Sequence, residues 1–81
     1  MSEEEALKEE ILRILKERNL VCTGSCYLKR PDELHCVDLA QMLGTNQGVI
    51  WRLIRELMAE GRVLRTEVYR NGRRINIFKP A

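Results

Sequence analysis

Residues 36–65, CVDLAQMLGTNQGVIWRLIRELMAEGRVLR, constrain the fold more than any other stretch of this chain. Apolar residues recur there at helical spacing twice. Leu39, Ala40 and Leu43 form one stripe, and Ile50, Leu53, Ile54, Leu57 and Met58 form a second. Gly44 falls between them, where a helix end favours a residue that accepts a left-handed backbone. Thr45 and Asn46 follow, and either can cap a new helix. Gly61 marks a second stop, and RVLRTEVYRNGRRINIFKPA then alternates apolar and polar residues. Val63, Val68, Ile75 and Ile77 are strand formers, and Asn71-Gly72 is a strong signal for a tight hairpin turn. The pattern predicts a helix over about 37–43, a longer helix over about 46–60 and a hairpin over about 62–79.

The first twenty residues predict a further helix. Ser2 and Glu5 match a capping box, and Glu3, Glu4 and Glu5 suit the positive end of a helix dipole. Leu7, Ile11, Ile14, Leu15 and Leu20 follow helical spacing, so the helix is expected over about 3–18, with Asn19 as its stop. Residues 19–35 break that period. Thr23-Gly24-Ser25 and Lys29-Arg30-Pro31-Asp32 are turn chemistry, with a short extended piece at Cys26-Tyr27-Leu28, and the segment reads as an irregular connector. The expected class is mostly α with a small β-hairpin. At 81 residues the chain holds one domain and one core, too small for a deep substrate cavity.

Charge is distributed unevenly. Residues 49–81 carry eight basic and three acidic side chains, a local net charge of +5 within an overall +2. All but one of the eight are Arg, whose planar fork of donors suits phosphates and guanine edges. The first twenty residues carry six acidic and four basic side chains. A basic C-terminal half beside an acidic first helix fits a polyanion-binding face with a solvated opposite side.

Taken in order, Ala40, Gly44, Ile50 with Ile54, the helix exit LMAEGRVLR and the hairpin YRNGRRINIF resemble the winged helix-turn-helix family of bacterial and archaeal DNA-binding proteins. The resemblance covers about His35 to Phe78 and implies a three-helix core with a C-terminal wing. It also implies that the third helix enters a DNA major groove. Thr45, Asn46 and Gln47 would stand at its tip, with Trp51 and Arg52 reading bases and Arg55 gripping a phosphate. Arg70, Asn71, Arg73 and Arg74 of the wing would reach backbone or minor groove. The function implied is sequence-specific binding of double-stranded DNA by a transcriptional regulator. A homodimer would match a palindromic site.

Two residues depart from the family pattern. Trp51 is bulky where small polar residues are common, and both DNA contact and partly buried packing fit it. Gly48 lowers local helix stability by roughly 1 kcal/mol relative to Ala. It either admits close approach to DNA or has no role.

Cys22, Cys26, His35 and Cys36 offer four potential zinc ligands, although their spacing lacks the usual paired knuckles. The alternatives are free thiols, with Cys36 as a small hydrophobe, and a Cys22–Cys26 disulfide. The expectation is therefore no metal and no cofactor. A single His, no Gly-rich phosphate loop and no nucleophile motif argue against an enzyme and give no sign of a small-molecule substrate. No apolar run reaches membrane-spanning length, and the acidic start lacks signal-peptide character, so a cytoplasmic protein is expected. Two other functions stay open. One is a protein-docking module, since Trp51 lies beside Ile50 and Val49. The other is RNA binding, with Tyr27, Tyr69 or Trp51 stacking on bases.

Overall fold

The structure, a computed structural model, describes residues 2–24 and 30–81. In chain order the elements are α1 (Glu3–Glu17), β1 (Val21–Thr23), β2 (Glu33–His35), α2 (Cys36–Leu43), α3 (Gln47–Ala59), β3 (Val63–Arg70) and β4 (Arg73–Pro80). Among the described residues, no helix is long and apolar enough to cross a membrane.

Each helix starts and stops on local chemistry. The Ser2 hydroxyl accepts from the Glu5 N–H at 3.2 Å and satisfies a donor that the first turn of α1 leaves open. Asn46 does the same for α3, accepting from the Val49 N–H at 3.0 Å. Gly44 closes α2 with φ of 67°, and the Thr45 N–H then returns to the Ala40 carbonyl at 2.9 Å. Only the three residues Gly44, Thr45 and Asn46 separate α2 from α3.

Four strands form one sheet in the order β2-β1-β4-β3. β1 and β2 run parallel, whereas β1–β4 and β3–β4 are antiparallel. The β3–β4 register is unbroken from Val63↔Pro80 to Arg70↔Arg73. Asn71 and Gly72 both take positive φ, 52° and 75°, as a type I′ turn requires. β1 covers β4 only at Ile77 and Phe78, so the tip of the hairpin runs on past the third strand.

This mixed sheet corrects the expected class of a mostly α, three-helix core with a C-terminal wing. Two of the four strands lie in the segment read as an irregular connector. Each is three residues long, too short for an alternating pattern to stand out. Their pairing is also unusual: parallel strands normally need a crossover of a dozen or more residues, and here residues 24–32 suffice. A two-stranded hairpin alone is marginal in water, so pairing β1 onto β4 stabilises both. The extended piece expected at Cys26-Tyr27-Leu28 lies outside the described residues.

The core lies between the helices and one face of the sheet. Ile11 and Leu15 of α1, Leu39 of α2, and Ile50, Leu53, Ile54 and Leu57 of α3 are essentially inaccessible. Cys22, Val63 and Phe78 meet them from the sheet. Ile75 is buried as well but stands outside this cluster.

Candidate nucleic-acid interface

With Ile50, Leu53, Ile54 and Leu57 inward, a 100° step per residue gives α3 two distinct flanks. Arg52, Glu56 and Glu60 turn toward α1. Gln47, Trp51 and Arg55 fall on the other side of the core stripe, where Trp51 meets Phe78 of β4 and lines a cleft with Arg74. The two flanks differ in electrostatic character.

The α1 flank is charge-compensated. Arg52 sits 2.5 Å from Glu4 and 3.3 Å from Glu56. Its hydrogen bond holds the Glu4 carboxyl below the usual glutamate value, and Glu4 in return raises the guanidinium. Lys8, although nearly buried, reaches Glu60 at 2.7 Å, Glu5 at 3.4 Å and Glu56 at 3.7 Å. Arg62 pairs with Glu9 and Glu60. The acidic residues of α1 thus neutralise cations contributed by α3 and the turn after it. For Arg52 to grip a base it must leave Glu4, and the nearby carboxylates repel phosphate.

The hairpin flank carries uncompensated positive charge. Arg55, Arg73 and Arg74 are exposed and have no ion-pair partner among the described residues. Two clefts meet at the Trp51 indole. One of about 420 Å³ is lined by Gly24, Cys36, Gln47, Gly48 and Trp51. The other, about 230 Å³, is lined by Gly24, Trp51, Arg74, Ile75 and Asn76. Trp51 is half-buried, packing edge-on against Phe78 at 5.2 Å between ring centres and 78° between planes. Its other ring atoms lie under Gly24, where an added Cβ would sit 3.2 Å from the indole. Trp51 therefore serves as a wall between the two clefts, anchored in the core.

The remaining residues singled out from the sequence take varied positions. Gln47 is exposed on the first turn of α3, and Thr45 is half-buried in the preceding turn. Asn46 is exposed, but its side-chain oxygen is engaged as the helix cap. Gly48 leaves room for that cap, since a Cβ there would lie 3.3 Å from Asn46 Oδ1. Asn71 is exposed at the hairpin tip. Arg70 is directed elsewhere: it pairs with Glu33 at 2.6 Å, and the Glu33 side chain is only 1% exposed. Glu33 also accepts from the Arg30 N–H at 2.9 Å.

Among the candidate metal ligands, Cys22 and Cys36 come together as free, buried thiols with their sulfurs 3.6 Å apart. The hydrogen bond to Cys36, reinforced by burial, pushes the Cys22 thiol far up, and the same bond holds Cys36 down. His35 opens α2, its N–H donating to Asp38 Oδ2 at 2.9 Å. Among the described residues no three His, Cys, Asp or Glu side chains converge on a metal position. Cys26 lies outside the described residues, and so do the Cys22–Cys26 disulfide and Tyr27. Sequence reasoning missed Glu4, Glu33 and Gly24. Each acts on a partner 27 to 48 positions away, and no local pattern signals such a pairing.

No protein family matches the chain, and no similar curated protein or solved structure was found.

Proposed function

We propose that this chain binds double-stranded DNA through the hairpin-side flank of α3 and the tip of the β3–β4 hairpin, as a regulator of transcription. One observation carries the reading: among the described residues Arg55, Arg73 and Arg74 are exposed and without an ion-pair partner, unlike Lys8, Arg52 and Arg62 beside the acidic α1, and Arg74 lines the cleft at Trp51. Unpaired cations on one face supply the sequence-independent attraction to a phosphate backbone. The first turn of α3, with Gln47 and Gly48 exposed, enters the major groove, and Gln47 offers the paired donor and acceptor that adenine requires. Arg55, Arg73 and Arg74 hold flanking phosphates and set the register. Arg52 reads a base only after exchanging Glu4 for it, so it acts as a conditional contact.

The test is a titration of duplex DNA at several salt concentrations, with Trp51 fluorescence as the reporter. The native chain binds more weakly as salt rises, and Arg73→Ala with Arg74→Ala flattens the logarithmic slope by roughly 2 units. No binding at low salt by the folded protein, or an unchanged slope in the double variant, removes this reading. A parallel titration with single-stranded RNA checks the duplex preference; tighter RNA binding overturns it.

A further inference from the structure

Among the described residues β3 is an outer strand of the sheet, and its unpaired edge carries a self-complementary pattern. Arg70 and Arg73 close a two-residue turn, so they exchange both hydrogen bonds, and the alternation of an antiparallel ladder follows from them. Leu64, Thr66, Val68 and Arg70 direct their backbone groups to β4. The Ala81 N–H bond to the Arg62 carbonyl, at 3.0 Å, fits the same alternation. The backbone N–H and C=O groups of Val63, Arg65, Glu67 and Tyr69 therefore point away from the sheet. Natural edge strands are commonly blunted by a bulge, a proline, shortness or charged side chains. Of these β3 has only the charges, Arg65, Glu67 and Arg70; its register is continuous over eight residues and it contains no Pro.

We infer that two copies of this chain associate by antiparallel pairing of their β3 edges, centred on Thr66. The outward-facing groups restrict the choice of register. A slip of one residue would set outward-facing groups against inward-facing ones and leave the ladder without donors. Among the permitted registers, centring on Arg65 places that cation opposite itself, and centring on Glu67 does the same for a carboxylate. Centring on Thr66 places Arg65 of each copy opposite Glu67 of the other, giving two symmetric pairs of opposite charge. In the same register Leu64 faces Val68 and Val63 faces Tyr69 across the seam. Leu64 and Tyr69 are 51% and 74% exposed in the single chain, and this register gives both an apolar neighbour. Arg65 and Glu67 lie 3.9 Å apart within one chain with exposed side chains, so exchanging partners costs little. The partner committed to is a second copy of this chain, because the same strand supplies both halves of the pattern. This inference stands apart from the DNA reading, and its test contains no DNA.

Sedimentation equilibrium of the full chain in reducing buffer measures it. The average mass should climb with concentration from 9.5 kDa toward twice that value. Arg65→Glu and Glu67→Arg each set like charges opposite one another at both symmetric positions, and each should weaken association roughly tenfold. Combining the two exchanges restores opposite charges and should restore association. Circular dichroism melting confirms that each variant folds; both side chains are exposed, so folding is expected to survive. A native chain that stays monomeric at every concentration overturns the inference. So do single variants that associate as the native chain does, or a folded double variant that remains as weak as the singles.

Discussion

Replacing Arg70 with Ala separates a structural arginine from a binding one. Arg70 stands 2.6 Å from Glu33, whose side chain is 1% exposed, while Arg70 itself is 17% exposed. After the substitution Glu33 retains the Arg30 N–H at 2.9 Å but loses the guanidinium. Removing one partner of a buried ion pair typically costs about 3–5 kcal/mol, because the other charge is left desolvated. The residual exposure of Arg70 and the donors left to Glu33, the Arg30 N–H among them, put the expected loss near the lower end, about 3 kcal/mol. At roughly 0.05–0.15 kcal/mol per residue, a chain of 81 residues has about 4–12 kcal/mol in total, so the variant stands near the limit of folding. At about 4–8 °C per kcal/mol for a domain of this size, the melting temperature should fall by about 12–24 °C. Urea denaturation followed by far-ultraviolet circular dichroism measures the loss. Glu33→Gln combined with Arg70→Met should recover most of it, since the desolvated charge is gone. A loss below about 1 kcal/mol, accompanied by a flatter salt dependence of DNA binding, would refute the argument. That outcome would mark Arg70 as a phosphate contact.

Two further outcomes follow from the helix contacts. Asn46→Ala removes the α3 cap and should cost about 1 kcal/mol in urea denaturation, leaving the first turn of α3 frayed; an unchanged midpoint would show that the cap carries no weight. The Lys8 clasp predicts a pH window for stability. The Lys8 hydrogen bond lowers Glu60, so that contribution is present above the ordinary glutamate value of 4.5 and is lost as pH falls through the lower folded value. Lys8 is raised, chiefly by Glu60, so its contribution is present below the ordinary 10.5 and is lost as pH rises through the higher folded value. The melting-temperature difference between the native chain and Lys8→Met should therefore be largest in the neutral range and shrink toward both extremes. A difference constant with pH would rule out the charge pairing as its source.

The sequence by itself determined the features whose causes are local. Ser2 and Asn46 cap helices because their oxygens reach a backbone N–H three residues on. Apolar stripes at helical spacing bury Ile11, Leu15, Ile50, Ile54 and Leu57 on whatever surface is offered. Gly44 and Asn71-Gly72 supply backbone conformations that other residues resist, so the turn after α2 and the hairpin between β3 and β4 are legible in the chain. The candidate site was legible only as a list of residue types: arginines after position 48, an exposed Gln47, and a hairpin tip.

The tertiary structure alone decided which of those arginines are free. Glu4 meets Arg52, Glu33 meets Arg70, and Lys8 meets Glu60 across separations of 37 to 52 residues. It also decided the sheet. Val21–Thr23 and Glu33–His35 are too short to declare themselves; the first becomes a strand because the edge of β4 gives it hydrogen-bond partners, and the second because the first then offers an edge of its own. It placed Trp51 against Phe78 and under Gly24, a position that its helical spacing left open. A helix satisfies its backbone within a few residues, and so its signals are local. A strand, an ion pair and an aromatic wall are satisfied by distant parts of the chain, and they exist only once the chain has folded.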